Sequence, residues 1–558
     1  MALNILLTND DGFDAPGISS LFEALEAAGH TVRIVAPQDQ QSAQGSTLGG
    51  IEGVTSSFRI EEFAPGNHFV DSTPVAAVLT GLALADQGVI FPDEEIDIVI
   101  SGTNSGENIG PSPNISGTVN AAVAAIHRDL PAIAVSAGDD TDLAFARSAD
   151  FVVDVLDRLE AQQPEGAPVL PVGTGLSINV PEAETPGGVA MTIIDREASQ
   201  TFPIVEADEP LTFTSDRILP EGSSGNAISE GAQFLLDRIT VSAIDGNWFS
   251  SESDRQTLEQ RLAGGFNDQQ DADRPLDIML VNDDGVDAEG LEAVRDALLE
   301  AGHSVTVIAP LTDQSFVGTA LTLGTWTAQE FEPGPFAVDA KPNTVVSTGI
   351  EQLLAEDRPD LVVSGANPGP STGITATTSA TLAAAVQSVF DDGIPAIAVS
   401  TGVDPAGQVP DGLFDFSGAF VAELIDRLLE TAPEDGGILP ADRGLNVNIP
   451  VGAGIDDIAF TELDRATASE IAVERVPVPG NSDIFRYDFP GAVVTDDPHS
   501  EGTHFLDGSI TITPIDGNYT ADLATTLAVA DLLGLTFGDP AMTGPDRAAI
   551  EADMLLAA

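Results

Sequence analysis

The chain repeats itself, and that constrains its architecture more than any other feature of the sequence. Ile5-Leu6-Leu7-Thr8-Asn9-Asp10-Asp11-Gly12-Phe13-Asp14-Ala15 returns as Ile278-Met279-Leu280-Val281-Asn282-Asp283-Asp284-Gly285-Val286-Asp287-Ala288. Later stretches return in the same order. Ala28-Gly29-His30 matches Ala301-Gly302-His303, Ile98-Val99-Ile100-Ser101-Gly102-Thr103-Asn104 matches Leu361-Val362-Val363-Ser364-Gly365-Ala366-Asn367, and Ile244-Asp245-Gly246-Asn247-Trp248 matches Ile515-Asp516-Gly517-Asn518-Tyr519. A repeat this long is a whole domain rather than one turn of a solenoid. At 558 residues the chain also exceeds the size, about 250–300 residues, at which a single core stops growing. Two tandem domains are expected, over 1–266 and 275–558, with the polar run Phe266-Asn267-Asp268-Gln269-Gln270-Asp271-Ala272-Asp273 as their junction.

Each copy has the pattern of a mostly parallel α/β sheet covered by helices. The apolar runs Ile5 to Leu7, Val32 to Val35, Ile98 to Ile100 and Ala132 to Val135 are continuous rather than alternating, as strands buried on both faces require. Between the first two, Asp14 as cap, Pro16 in the first turn, apolar Ile18, Leu21, Phe22 and Leu25, and Gly29 as stop predict a helix. Strand, helix, strand in so short a span is a right-handed parallel crossover. Further helices are expected over Val75 to Ala85, Gly117 to Ile126 and Ala380 to Val389. The mixed segment Ala190 to Asp195 predicts an antiparallel appendage beside the sheet.

Charge excludes some partners. With 89 acidic and 20 basic residues the formal net charge is −69, a field that repels nucleic-acid backbones and anionic membranes. It would also repel a small phosphate ester, so a site for such a substrate needs a cation to reverse the local potential. A salt-adapted protein and an acidic extracellular or periplasmic one both fit this composition. Cysteine is absent, which removes disulfides, thiolate ligands and cysteine nucleophiles. No apolar window reads as a membrane span, and the first residues run directly into the first strand. A cytoplasmic location is expected, or a periplasmic or secreted one if a leader has been removed.

Open parallel sheets place their sites beyond the carboxyl ends of the strands. Asp10 and Asp11 follow the first strand, Ser42 lies in the loop after the second, and Asn104 follows the strand ending near Ile100, so all can meet at one sheet edge. Adjacent aspartates repel unless a cation compensates them. Carboxylate, hydroxyl and amide oxygens suit a hard cation such as Mg²⁺, Mn²⁺ or Ca²⁺. A plainer reading makes the aspartates an Asx-type turn, but the same residue types recur as Asp283, Asp284, Ser315 and Asn367. Ser116-Gly117-Thr118 precedes a helix, where backbone N–H groups hold phosphate or serine simply caps.

Asn-Asp-Asp-Gly after an N-terminal strand, an Ala-Pro turn leading to Ser42, Ser101-Gly102-Thr103-Asn104-Ser105-Gly106-Glu107-Asn108-Ile109-Gly110, Ser116-Gly117-Thr118 and the closing Ile510-Thr511-Ile512-Thr513-Pro514 together resemble the SurE survival-protein phosphatases. The resemblance covers nearly all of both copies. It implies a SurE-like, Rossmann-like fold present twice, and hydrolysis of phosphate monoesters, chiefly nucleoside 5'/3'-monophosphates. It further implies one divalent cation per site and an oligomeric assembly, here an intramolecular pseudo-dimer able to pair again as a homodimer. Carried over, the metal ligands are Asp10, Asp11, Ser42 and Asn104, and in the second copy Asp283, Asp284, Ser315 and Asn367. Asp10, Asp11, Asn108, Asp283 and Asp284 become catalytic candidates; Ser116, Gly117 and Thr118, and Ser379 and Thr381, become phosphate-binding ones. Whether an aspartate orients water or attacks phosphorus is left open by the sequence.

The second copy departs from the pattern at Ser371, where the first has Asn108, and at Ala380, where the first has Gly117, so turnover is expected mainly at the first site. The first departs in Gln38-Asp39-Gln40-Gln41, where single-domain members often carry basic residues. With two Trp and two Tyr in the chain, Phe or aliphatic side chains would have to hold a nucleobase. Two other readings compete. A metal-binding or structural module could retain the fold without catalysis. A dinucleotide-binding hydride-transfer domain is disfavoured, because no Gly-x-Gly-x-x-Gly follows the first strand and two aspartates stand where pyrophosphate would lie.

Overall fold

The computed structural model describes the chain apart from residues 1, 49–56, 93, 163–166, 198–202, 216–227, 265–273, 332–333, 434–436, 441, 479–480 and 536–558. The expected junction at Phe266 to Asp273 lies outside the described residues. The continuous apolar runs form parallel strands: Asn4–Thr8 sits between Thr31–Pro37 and Ile98–Ser105, with Ala132–Ala137 and Gly175–Val180 beyond. Asp277–Val281, Ser304–Pro310, Leu361–Pro368, Ala396–Thr401 and Gly444–Ile449 repeat this order in the second copy. Side chains of these strands are buried on both faces, as their unbroken hydrophobicity requires.

The helices also follow the sequence, with two adjustments. Pro16–Ala28, Pro74–Asp86 and Gly117–Ile126 form as expected, while Ala380–Val386 continues into π-helical turns over Gln387–Asp392. Asp14 is not the cap of the first helix. Ala15 takes that position without a side-chain bond, and Pro16 opens the first turn, where a missing N–H costs nothing. Ala190 to Thr192 does not form the appendage either, but pairs in parallel with Ile239–Ile244 as part of the main sheet.

Two antiparallel arms are exchanged between copies. The hairpin Ala472–Val478 with Asn481–Asp488 of the second copy pairs onto Ser57–Ala64 of the first. Reciprocally, Ile204–Glu206 with Thr212–Ser215 of the first pairs onto Thr325–Glu330 of the second. Among the described residues each sheet thereby reaches eleven strands, with the incoming arm covering what would be an open edge. The last helices cross as well. Val529 and Leu533 of Leu523–Leu533 enter the core of the first copy, and Leu258 and Leu262 of Glu252–Leu262 enter that of the second.

A third core joins the copies. Trp248 and Tyr519, equivalent positions of the repeat, stack with ring centroids 5.5 Å apart. Trp248 Nε1 donates to Asn114 Oδ1 at 3.3 Å and the Tyr519 hydroxyl to Asn120 Oδ1 at 3.0 Å, so both polar tips are satisfied inside. Aromatic side chains of this kind bury about 150–250 Å² each, on the order of 4–6 kcal/mol per ring before entropy is counted. The two copies form a pseudo-dimer.

Candidate functional site

The Asn-Asp-Asp-Gly turn is built the same way in both copies. Asn9 Nδ2 donates to the Gly12 carbonyl at 2.8 Å and Asn282 Nδ2 to the Gly285 carbonyl at 2.9 Å, closing the turn. Gly12 and Gly285 sit at φ +107° and +103°, which any Cβ would oppose. The closed turn points Asp10 inward, where it is 3% exposed, and Thr118 Oγ1 donates to its Oδ1 at 2.5 Å. Thr381 holds Asp283 in the same way, also at 2.5 Å. The threonine hydroxyls of the expected phosphate cradles are thus bonded to the aspartates.

The expected partners converge on this edge. The Gln41 N–H binds the Asp10 carbonyl at 2.6 Å, tying the loop that carries Ser42 to the aspartate turn, and the Gln314 N–H binds the Asp283 carbonyl at 2.7 Å beside Ser315. Asn104 Nδ2 is spent on the Gly106 carbonyl at 2.6 Å and Asn367 Nδ2 on the Gly369 carbonyl at 2.9 Å, which leaves each amide oxygen as the end available to a ligand. The two serine loops clasp each other at the pseudo-twofold. The Leu48 N–H reaches the Phe316 carbonyl, the Leu321 N–H reaches that of Ala43, and Ser46 and Thr319 exchange backbone-to-hydroxyl bonds at 3.1 Å.

Ser116 and Ser379 are helix caps, accepting from the Val119 and Leu382 N–H groups at 3.2 Å. At Gly117 the tight approach is to the carboxylate: a Cβ there would fall 2.8 Å from Asp10 Cβ and 3.1 Å from Pro74 Cγ. Ala380 carries that methyl in the second copy, and the Thr381–Asp283 bond still forms. Asn108 Nδ2 donates to Ser136 Oγ at 2.8 Å, whereas Ser371 accepts from Ser400 at 2.9 Å and donates to the capping Ser379 at 2.8 Å.

The electrostatics differ between copies. Burial, then the charge of Asp11, pushes the Asp10 carboxyl up to about 7. Asp11 is raised less far: burial dominates, but the Ser105 N–H donates to its Oδ2 at 3.1 Å and the Gln40 side chain adds a second bond. Neither donor exists in the second copy. Pro368 stands where Ser105 does and has no N–H, and Asp313 stands where Gln40 does. Asp284 Oδ2 is consequently buried without a partner. Burial pushes Asp284 up, and the charges of Asp283 and Asp313 push it further. A buried carboxyl left in this state either keeps its proton or takes a cation beside it. Among the described residues no group of three or more His, Cys, Asp or Glu could hold a metal ion. The donor set at each edge is two carboxylates with neutral hydroxyl and amide oxygens, which suits a hard cation.

Sequence reasoning missed a buried support behind each site. The Asn108 N–H donates to Asn179 Oδ1 at 2.7 Å, and Asn179 Nδ2 donates to Glu230 Oε1 at 3.1 Å. The Ser371 N–H, Asn448 and Glu501 repeat the relay at 2.7 and 3.3 Å. The internal comparison carried this signal, since Asn179-Val180-Pro181 recurs as Asn448-Ile449-Pro450 and Ser229-Glu230-Gly231 as Ser500-Glu501-Gly502. An aromatic group also adjoins the first turn. Phe13 lies 4.8 Å from Phe63 and 5.0 Å from Phe69 between centroids, where the second copy has Val286 and Ala337 in place of Phe13 and Phe69.

Comparison with known proteins identifies the family. The family model described as survival protein SurE matches residues 5–201 and again 278–470. The chain is 38% identical over 242 residues to the 5'-nucleotidase SurE of Syntrophotalea carbinolica, covering 43% of this chain and 90% of that protein. It is 36% identical over 249 residues to the 5'-nucleotidase SurE of Idiomarina loihiensis, covering 44% and 94% respectively. Among solved structures, the SurE protein from Aquifex aeolicus aligns at 25% identity and a TM-score of 0.39, over 46% of this chain and 99% of that one. Among the described residues no helix is long and apolar enough to cross a membrane. The chain belongs to the SurE family, with the family's domain present twice in tandem.

Proposed function

We propose that this protein hydrolyses phosphate monoesters, chiefly nucleoside 5'/3'-monophosphates, with a divalent cation such as Mg²⁺ or Mn²⁺, and that the N-terminal site carries most of the turnover. The observation behind this reading is the Asp10-Asp11 pair, buried at the carboxyl edge of a parallel sheet beside Ser42 and Asn104 and lacking a compensating charge. A cation held by Asp10, Asp11, Ser42 and Asn104 would offset negative charge growing on the phosphate oxygens. The protein's own contribution is orientation. Thr118 fixes Asp10, and the Ser105 N–H with Gln40 holds Asp11 and opposes the rise that burial causes. The Glu230–Asn179 relay sets the backbone of Asn108, whose Nδ2 gives one hydrogen to Ser136 and keeps the other as a donor for phosphate. Phe13 with Phe63 and Phe69 offers an apolar surface beside the turn for a nucleobase.

For the C-terminal copy a second reading is favoured by Ser371 and Pro368: it binds a cation but turns over little. The donor that Asn108 supplies is replaced there by a hydroxyl whose proton goes to Ser379. Phosphate release from nucleoside monophosphates by the full chain tests the whole reading. Release should require added Mn²⁺ or Mg²⁺ and fall to background with a chelator and in Asp10→Asn. Cation binding without any release would instead make the protein a metal-binding module.

A further inference from the structure

Between the copies lies a cavity of about 450 Å³ to which none of the eight candidate metal ligands contributes. Trp326, Phe390, Ile204 and Leu321 supply its apolar walls; Asn343, Ser347, Gln387, Glu351 and Asp391, with one cation, Arg196, supply its polar lining. Ile204 comes from the exchanged arm of the first copy, so the cavity exists only in the assembled pseudo-dimer. Its size and its mix of apolar wall with a few convergent polar groups are those of a small-molecule site.

At the pseudo-symmetric position the gap among the described residues is about 20 Å³. Val75 and Leu79 stand where Asn343 and Ser347 do, and Arg128 stands where Asp391 does, with its Nη2 donating to the Ile471 carbonyl at 2.6 Å. One copy has thus filled the space with aliphatic groups and a cation, while the other keeps it open with two carboxyls and neutral polar side chains in its lining beside Arg196.

An unmet acceptor indicates what the open cavity would take. Asn343 is 1% exposed; its Nδ2 faces two acceptors, the Thr319 carbonyl at 3.2 Å and Gln387 Oε1 at 3.4 Å, which fixes the amide orientation and leaves Oδ1 buried without a partner. The charge points the same way. Arg196 is committed to Asp442 at 2.8 Å and lies over the Phe390 ring, and Arg358 donates to the Asp392 carbonyl at 3.2 Å. Arg196 acts on Asp391 and Arg358 on Glu351 and on Asp392 behind the wall, so three carboxyls face two cations, and burial still pushes all three up. A buried acceptor and an excess of carboxylate over an aromatic wall both call for a ligand that donates hydrogen bonds and carries positive charge.

We propose that this cavity binds a small organic ammonium ion, its apolar or aromatic body against Trp326 and Phe390 and its N–H donors on Asn343 Oδ1 and Asp391. The test is calorimetric titration of the full chain with three probes that share a phenylethyl body: 2-phenylethylammonium, 2-phenylethanol and 3-phenylpropionate. The ammonium should bind about tenfold or more tighter than the alcohol, the factor expected of one charge-assisted contact, and the carboxylate should not bind. Asn343→Val with Ser347→Leu, the residues the other copy already accommodates, should abolish ammonium binding. Asp391→Asn should bring the ammonium down to the level of the alcohol. Phosphate release should be unchanged in both variants, which separates failure of this site from failure of the catalytic reading. Ammonium binding that survives the double substitution, a carboxylate that binds as well as the ammonium, or no binding by any probe would overturn the proposal.

Discussion

The two aspartate turns of this chain have the same backbone and opposite surroundings. In the first, Asp11 receives a backbone N–H from Ser105 and a side-chain bond from Gln40. In the second, Pro368 removes the first donor and Asp313 turns the second into another negative charge. At the neighbouring position an amide donor, Asn108, has become a hydroxyl spent on the helix cap Ser379. The ligand types are intact in both copies, while the groups that would hold phosphate and favour the ionised carboxylate survive in one. On the function proposed above, one copy of a duplicated domain loses turnover before it loses the residues that would hold the cation.

The comparison can be broken most drastically by separating the copies. A fragment ending before residue 265 would lose the incoming hairpin, the helix Leu523–Leu533 and the partner of Trp248. It should show no cooperative unfolding transition by calorimetry, and a sharp transition in the isolated fragment would mean that the exchanged elements are dispensable. Next in size is conversion of the first site into the second. Asn108→Ser with Ser105→Pro should cost on the order of 100-fold in turnover, the scale of losing a positioned donor. The melting temperature should shift little, because both residues occur in the equivalent fold.

A smaller effect is expected from charge alone. Asp313→Gln should weaken divalent-cation binding at the second site by about tenfold, and Gln40→Asp should tighten it at the first, since a third carboxylate adds attraction in a partly buried site. Titration calorimetry showing both changes in the same direction would contradict this. The smallest effect concerns stability. Burial pushes Glu501 from 4.5 to about 8, so the folded chain keeps a proton that the unfolded chain releases near 4.5. The folded state then binds more protons across that window, and this group's contribution falls as pH rises from about 4.5 to 8. Glu501→Gln should flatten that part of the urea-midpoint profile, and an unchanged profile would place the ionised form inside.

Much of this was legible in the sequence because the physics was local. Buried parallel strands read as unbroken apolar runs, and the aspartate turn with its glycine recurs almost unchanged. Ser116 and Ser379 sit where a cap was one of two readings. The arm exchange was not legible, because the residues of Ile204–Glu206 and Ala472–Val478 specify a strand but not whose edge it joins. The Glu230 and Glu501 relays were hidden for a related reason: a lone glutamate before a short helix looks exposed until the sheet closes over it. The loss of donors at Asp284 was readable as Ser105 against Pro368 and Gln40 against Asp313. It acquires meaning only once the structure shows which carboxylate those positions face.

The division of labour between the copies is tested most directly by a paired substitution, Asp11→Asn and Asp284→Asn, each in the full chain. Both proteins are assayed for phosphate release from nucleoside monophosphates and a generic aryl phosphate with saturating Mn²⁺ or Mg²⁺. Turnover should fall about 100-fold or more in the first protein and remain close to that of the unsubstituted chain in the second. Equal halving in the two would show two competent sites, and full activity in both would remove these aspartates from the mechanism.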